Sequence, residues 1–383
     1  MLPSTSQYSR LQWLLTMAGL LLYVVDIGTD VGLALQYFRH SDFVWAGLTV
    51  AFVLAGLLGT QIFSYAWYRE DITNCMTDRE GNTPTLTGFT ALHLFGMGMF
   101  TRYYYLLTGG YRAVWTTASD NAEEEKGEVH PALFGQATDL SMLKLFEAFL
   151  ESVPQLLLQL YIIMLGHEER SVIQYISMAF SLFNVAWTLV DYRRCLRRSL
   201  PLFQTTPSCF PTVVYLLYKL FTITAHVLGY GLLLILSPYS TVGLASIWLL
   251  GTVWAHFLRT DFCKRRILEW LYRAIIGFIL TFTFFNVKGH NTKAAMSLYY
   301  FFHGLVNIAA PVLLVLLKRE TQAARYFLPV ASVIYGGTVS GLACLTAYYT
   351  FLHPRETSRE ADELDGRGNR TDGELRIRKF LWP

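Results

Sequence analysis

The sequence predicts an all-α membrane protein with eight transmembrane helices and two re-entrant half-helices in two parallel repeats. Three observations carry this. Of 383 residues, 53% are hydrophobic and only 15% charged, against roughly a quarter charged in soluble domains. The apolar residues gather in runs of roughly 18 to 28 residues, the length a helix needs to cross about 30 Å of hydrocarbon. Finally, Lys and Arg are distributed unevenly between the intervening loops.

In chain order, the apolar segments are Leu11–Phe38, Phe43–Tyr68, Leu86–Leu107, Leu140–Leu165, Val172–Val190, Thr212–Leu236, Val242–Leu258, Ile267–Val287, Ala294–Leu317 and Tyr326–Leu352. The first is expected to be a retained span, because only Arg10 precedes it and the run passes Asp26 without a small-residue cleavage site. Leu86–Leu107 contains Arg102, His93, Gly88, Gly96 and Gly98. Irregular backbone and an arginine at membrane depth need shelter by protein or water, which suits a half-helix that dips in and returns. Ile267–Val287, with Glu269 and Arg273 in its first turns, is the second half-helix.

With both returned, the positive-inside rule sorts the loops. The cytosolic side receives Arg69, Arg79, Arg112, Lys126, the cluster Arg193, Arg194, Arg197 and Arg198, then Arg259, Lys264, Arg265, Arg266, Lys288 and Lys293. Arg39, Arg170, Lys318, Arg319 and Arg325 stay outside, and both termini fall in the cytosol. Two spans, a half-helix and two spans then occur twice. Residues 1–200 form one repeat, 201–353 the second, and 354–383 a cytosolic tail. Cys75, Cys195, Cys209 and Cys263 lie at or near the reducing side, where structural disulfides are not expected. No metal-ligand spacing, glycine-rich phosphate loop or nucleophile motif stands out. The chain is therefore expected to be no enzyme, to need no cofactor and to bind no nucleic acid.

Charge inside the apolar runs is the informative exception. Asp26 and Asp30 are four apart on the first span, so they share a face. Glu147, Glu151, Gln155 and Gln159 recur every fourth residue, with Lys144 a turn earlier. Asn184, Thr188 and Asp191 line the fifth segment, and Lys219, Thr222 and His226 the sixth. A charge near the bilayer centre costs at least about 2.5–3.5 kcal/mol, so each needs a partner or a wet cavity. Two readings stay open: pins between helices, through Lys144, Lys219 or Arg102, or a polar track for lipid headgroups, ions or a small solute. Pro154 sits in mid-helix, where it either breaks the hydrogen-bond ladder and kinks the helix or is tolerated by its neighbours.

The run Asp139-Leu-Ser-Met-Leu-Lys-Leu-Phe-Glu-Ala-Phe-Leu-Glu-Ser-Val-Pro-Gln-Leu156 resembles the signature stretch of the XK-related family. Val25–Asp30 resembles that family's first span and Phe284–Lys288 its second half-helix region. The resemblance covers nearly the whole chain. It implies an apoptotic phospholipid scramblase of the plasma membrane, exposing phosphatidylserine and other phospholipids without ATP. It further implies activation by an executioner caspase and leaves room for a single-span accessory subunit. On this resemblance the acids Asp26, Asp30, Glu147 and Glu151 line the intramembrane polar path for headgroups, and Lys144 and Gln155, from the same stripe, are placed with them.

After His353-Pro354 the composition turns polar and charged, as in a segment without its own core. It contains Asp362-Glu363-Leu364-Asp365 followed by Gly366. That tetrapeptide before a small residue resembles an executioner-caspase site, where Arg forks hold the Asp carboxylate. Cleavage after Asp365 would free a basic, then apolar piece. Leu375, Ile377, Phe380, Leu381 and Trp382 are expected to dock in a cytosolic cleft and hold the protein shut; the rival reading is a tail that touches anionic headgroups. Asn369-Arg-Thr371 is a glycosylation sequon, so a glycan there would place the tail outside. A secondary transporter and a structural membrane subunit are the alternatives from other classes.

Overall fold

The computed structural model describes residues 8–75, 86–116, 123–166, 172–199, 209–258, 260, 262–263, 265–286, 293–318 and 324–352. Among these, every regular element is helical. In order they are α1 (Arg10–Arg39), α2 (Phe43–Cys75), α3 (Leu86–Leu94), α4 (Gly98–Tyr111), α5 (Glu123–Glu147), α6 (Val153–Leu165), α7 (Val172–Ser199), α8 (Cys209–Leu236), α9 (Ser240–Phe257), α10 (Arg266–Phe282), α11 (Lys293–Leu317) and α12 (Phe327–Ala347). Widened π turns follow α4, α5 and α12, at Arg112–Thr116, Ala148–Ser152 and Tyr348–Leu352.

Among the described residues, seven helical runs are long and apolar enough to cross a membrane: Arg10–Arg39, Phe43–Glu70, Ala132–Leu165, Phe210–Leu236, Ser240–Phe257, Lys293–Leu317 and Phe327–Leu352. Several such runs in one chain fit a multi-pass membrane protein. The 28 residues of α7 give it a length of about 42 Å, with Asp191 and four arginines gathered towards its C-terminal end. Burial is uneven in an informative way. Ala132–Leu165 and Phe210–Leu236 are mostly covered by protein, whereas Ser240–Phe257 is almost bare. Leu249, Leu250 and Val253 on α9, like Leu14, Leu21 and Val25 on α1, are exposed. In water such faces would be aggregation-prone patches; against lipid they lie in their own solvent.

The backbone explains the helix limits. At the start of α1, Ser9 and Gln12 form a capping box: the Gln12 amide donates to Ser9 Oγ (3.4 Å) and the Ser9 amide to Gln12 Oε1 (2.8 Å). The α1–α2 link turns at Ser41, a non-glycine residue at φ +66°. The Leu86–Leu107 segment is broken, since α3 ends before Gly96, whose φ of +76° is natural only to glycine. Near Pro154 the expected disturbance takes the form of the π turn at Ala148–Ser152. Pro154 has no N–H to donate, and its ring would crowd the carbonyl of residue 150, so one wider turn relieves both problems.

The chain divides into two compact units. In the first, which among the described residues holds 8–147 and 191–199, α2 packs on α1, α3, α4 and α5, and α4 lies on α1 and α5. Its centre is aromatic: Phe63 meets Phe146 edge-on with ring centroids 5.1 Å apart, beside Trp67, Met99, Tyr103 and Leu143. In the second unit, holding described residues 148–190 and 209–352, α8 is the hub for α6, α9, α11 and α12. Close backbone approach holds its edges. A Cβ at Gly251 would come within 2.9 Å of the Gly277 carbonyl, and one at Gly337 within 3.1 Å of the Phe221 carbonyl. Glycine thus brings α9 against α10 and α12 against α8.

Candidate functional site

The first unit gathers the charged residues singled out on α1 and α5. Asp26 and Asp30 lie one turn apart on α1, and Lys144 and Glu147 share a face of α5. Glu147 has Asp26, Lys144 and Asp30 as electrostatic neighbours, and the Tyr103 hydroxyl of α4 has Glu147 and Asp191. Lys144 Nζ sits 5.3 Å from the centroid of the Tyr103 ring. It passes α1 where there is no side chain: a Cβ at Gly19 would lie 2.5 Å from Lys144 Nζ and 3.4 Å from Tyr103 Oη. Tyr103 is fully buried, yet its hydroxyl has no hydrogen-bond partner among the described residues.

None of Asp26, Lys144 and Glu147 closes an ion pair among the described residues. That separates this cluster from a structural pin. A buried pair that only pins helices must be closed and fully hydrogen-bonded, because its desolvation cost is otherwise uncompensated. Here carboxylates and an ammonium face one another without touching, leaving donors and acceptors of both signs for a polar guest.

Pinning is done elsewhere, at the helix breaks. Between α3 and α4 the Gln61 side chain of α2 satisfies both sides: Nε2 donates to the Gly96 carbonyl (3.0 Å) and Oε1 accepts from the Gly98 amide (2.9 Å). Arg102 Nε donates to Ser64 Oγ (2.8 Å), Nη2 donates to the Ser64 carbonyl (3.0 Å), and Nη1 pairs with Asp139 at 3.3 Å.

In the second unit α10 is sealed at both ends. Near its N-terminus Glu269 accepts from the amides of Phe262 (3.0 Å) and Cys263 (2.8 Å) and from Thr260 Oγ1 (2.5 Å), and pairs with Arg273 at 3.3 Å. A carboxylate belongs there, where the helix dipole is positive. At the other end the chain leaves the helix at Thr283 in an extended conformation, exposing carbonyls that no later turn can satisfy. Tyr230 Oη donates to Thr281 O (2.8 Å), His226 Nδ1 to Phe282 O (2.7 Å) and Lys219 Nζ to Phe284 O (2.7 Å). Lys219 also donates to Thr283 Oγ1 at 2.9 Å, and His303 Nε2 reaches Thr281 O at 3.2 Å. The Lys219–His226 row of α8 is therefore a helix cap.

A family model described as XK-related protein matches residues 14–354. The chain belongs to the XK-related family. It is 53% identical over 383 residues to XK-related protein 9 of Tetraodon nigroviridis, covering 99% of this chain and 100% of that one. It is 31% identical over 360 residues to XK-related protein 8 of the same fish, covering 92% and 86% of the two chains. With XK-related protein 8 of Gasterosteus aculeatus it shares 29% over 387 residues, covering 98% and 92%.

The family-like run Asp139–Leu156 joins several of these parts. Asp139 anchors Arg102, while Lys144 and Glu147 belong to the first-unit cluster. Glu151 and Gln155, on the π turn and on α6, fall in the second unit and are both buried. The caspase tetrapeptide Asp362–Asp365 with Gly366, the sequon at Asn369, and Leu375, Ile377, Phe380, Leu381 and Trp382 lie outside the described residues. Sequence reasoning missed Gly19, Tyr103, Gln61, Ser64, Tyr230 and His303. A signal existed for Gln61 and Ser64, two polar residues three apart in an apolar run, and for His303 and Asn307, four apart in another.

Proposed function

We propose that this chain is a phospholipid scramblase rather than an enzyme, and that its intramembrane acids and Lys144 guide lipid headgroups between leaflets. The observation that carries this reading is the first-unit cluster, where Asp26, Glu147 and Lys144 face one another with no ion pair closed among the described residues. A zwitterionic or anionic headgroup offers both charge signs to such a site, while its acyl chains stay in hydrocarbon. Glu151 and Gln155, buried further along the same helical run, continue the polar series.

The proposed topology has eight spans, with α7 as the eighth, and two half-helices in parallel repeats over residues 1–200 and 201–353. The break at Gly96 and the sealed ends of α10 favour it, because a helix that stops within a membrane must have its end groups satisfied by protein. Both termini then lie in the cytosol of a plasma-membrane protein. Residues 354–383 act as the lock, and an executioner caspase opens it by cutting after Asp365. A single-span accessory subunit is a candidate partner for assembly.

The test uses liposomes carrying fluorescent phosphatidylserine and a membrane-impermeant quencher. Caspase-treated protein should render both leaflets quenchable, whereas intact protein and Asp365→Ala treated alike should leave the inner leaflet protected. Silence of all three, in vesicles shown to hold correctly inserted protein, would remove the scramblase reading.

A further inference from the structure

A buried polar atom without a partner is costly, because the water it gave up has not been replaced. Tyr103 of α4 carries such an atom. Its side chain is fully buried, and its hydroxyl has no hydrogen-bond partner among the described residues. The ring itself is well used. It stacks on Tyr23 with centroids 6.1 Å apart and carries the Lys144 ammonium 5.3 Å from its centroid. Phenylalanine would keep both contacts, so packing accounts for the ring and leaves the hydroxyl unexplained.

Lys144 of α5 is in the same condition. Its ammonium makes no hydrogen bond and closes no ion pair among the described residues. Both groups border one notch, since a Cβ at Gly19 of α1 would lie 2.5 Å from Lys144 Nζ and 3.4 Å from Tyr103 Oη. A hydroxyl and an ammonium thus meet from α4 and α5 where α1 supplies no side chain. Glu147 is an electrostatic neighbour of both but bonds to neither. Asp26, Lys144 and Glu147 are only partly buried, so a guest can reach the cluster. Two donors at one notch call for an acceptor.

We propose that Tyr103 Oη and Lys144 Nζ together seat a phosphate oxygen of a phospholipid headgroup. This deepens the scramblase reading and rests on it. Phosphate is the group that serine and choline headgroups share, so one seat serves both. Each donor makes a charge-assisted bond to it. The lysine, a point charge on a flexible stem, can follow the oxygen, while the tightly packed tyrosine fixes where the oxygen stops. Inorganic phosphate offers the same oxygens, but α1 is one of the apolar runs that can cross a membrane, and a lipid brings its phosphate there on its acyl chains.

The test begins with Tyr103→Phe in the full-length protein in a non-ionic detergent. Its melting temperature should be unchanged or raised, since no bond is lost; a fall would show that the hydroxyl already has a partner and would overturn the proposal. Dioctanoyl phosphatidylserine and dioctanoyl phosphatidylcholine should each raise the melting temperature of the caspase-treated protein. Tyr103→Phe and Lys144→Met should each move half-saturation at least about tenfold higher, as for a hydrogen bond to a charged group. The double variant should lose less than the two single losses combined, because the phosphate is shared. Any shift given by dioctanoylglycerol, which has no phosphate, should be the same in the parent and in both variants. Unchanged half-saturation in Tyr103→Phe, or an equal shift with inorganic phosphate, would overturn the seat. Lipid exposure in liposomes is read separately. If the parent exposes no lipid while binding still depends on Tyr103, the scramblase reading fails and the seat stands. If the parent exposes lipid and Tyr103→Phe matches it in both rate and binding, the seat fails and the scramblase reading stands.

Discussion

Lys144 can run past α1 only because position 19 lacks a side chain, since a Cβ there would stand 2.5 Å from its Nζ. Gly19→Val should therefore displace the Lys144 ammonium, the far end of a flexible side chain, at a cost of no more than about 1 kcal/mol, the low end of the range for overpacking. The measurement is the melting temperature in detergent, and its decisive arm is a double-mutant cycle with Lys144→Ala. If the valine costs as much without Lys144 as with it, the contact is not what excludes a side chain there. This scale also shows what one sequence can reveal. Asp26, Asp30, Lys144 and Glu147 were legible because a charge in an apolar run is conspicuous whatever surrounds it. Gly19 and Tyr103 were not, since both are ordinary in membrane helices and gain meaning only where α1, α4 and α5 meet.

At the scale of an element, α10 shows how a helix ends where water is scarce. Its last carbonyls are taken by donors from α8 and α11, namely Tyr230, His226, Lys219 and His303. Tyr230→Phe removes one donor and keeps the ring, so the Thr281 carbonyl retains only the longer contact from His303. Lys219→Met strips the donor to both Thr283 Oγ1 and Phe284 O. A buried polar group left unsatisfied costs about 1–3 kcal/mol, so Lys219→Met should lower the melting temperature more than Tyr230→Phe. The reverse order would mean that water replaces the lysine and that α10 is not sealed as described. The half-helix candidates were legible from Arg102, Glu269, Arg273 and the glycines. The stop at Thr283 was not, because Thr281–Phe285 carries no charge, glycine or proline. Pro154 was legible as a disturbance but not as a π turn. Proline specifies which donor and which space are lost, and the surrounding packing decides how the backbone gives way.

For the whole molecule, the proposed lock and the proposed track make separable demands. Neutralising the cluster, by Glu147→Gln with Asp26→Asn, should leave caspase cleavage after Asp365 intact while lowering lipid exposure by the cleaved protein at least about tenfold, a loss equivalent to about 1.4 kcal/mol. Locking should be unaffected, so the uncut variant should be as silent as the uncut parent. A structural role would give a different pattern. If the acids served mainly as pins, neutralising them would lower the melting temperature and shift the elution profile together with activity. Removing charge from a membrane interior without breaking a closed pair should instead leave stability unchanged or raise it. Preserved melting and elution with slowed exposure therefore assign the acids to the track. Preserved exposure removes them from it and leaves the half-helix region around Thr283 and Phe284 as the next place to look for the route. Glycan occupancy at Asn369 provides the matching control on sidedness: an unmodified asparagine in glycosylating cells agrees with a cytosolic tail, whereas a glycan there would place Asp365 beyond the reach of any cytosolic protease.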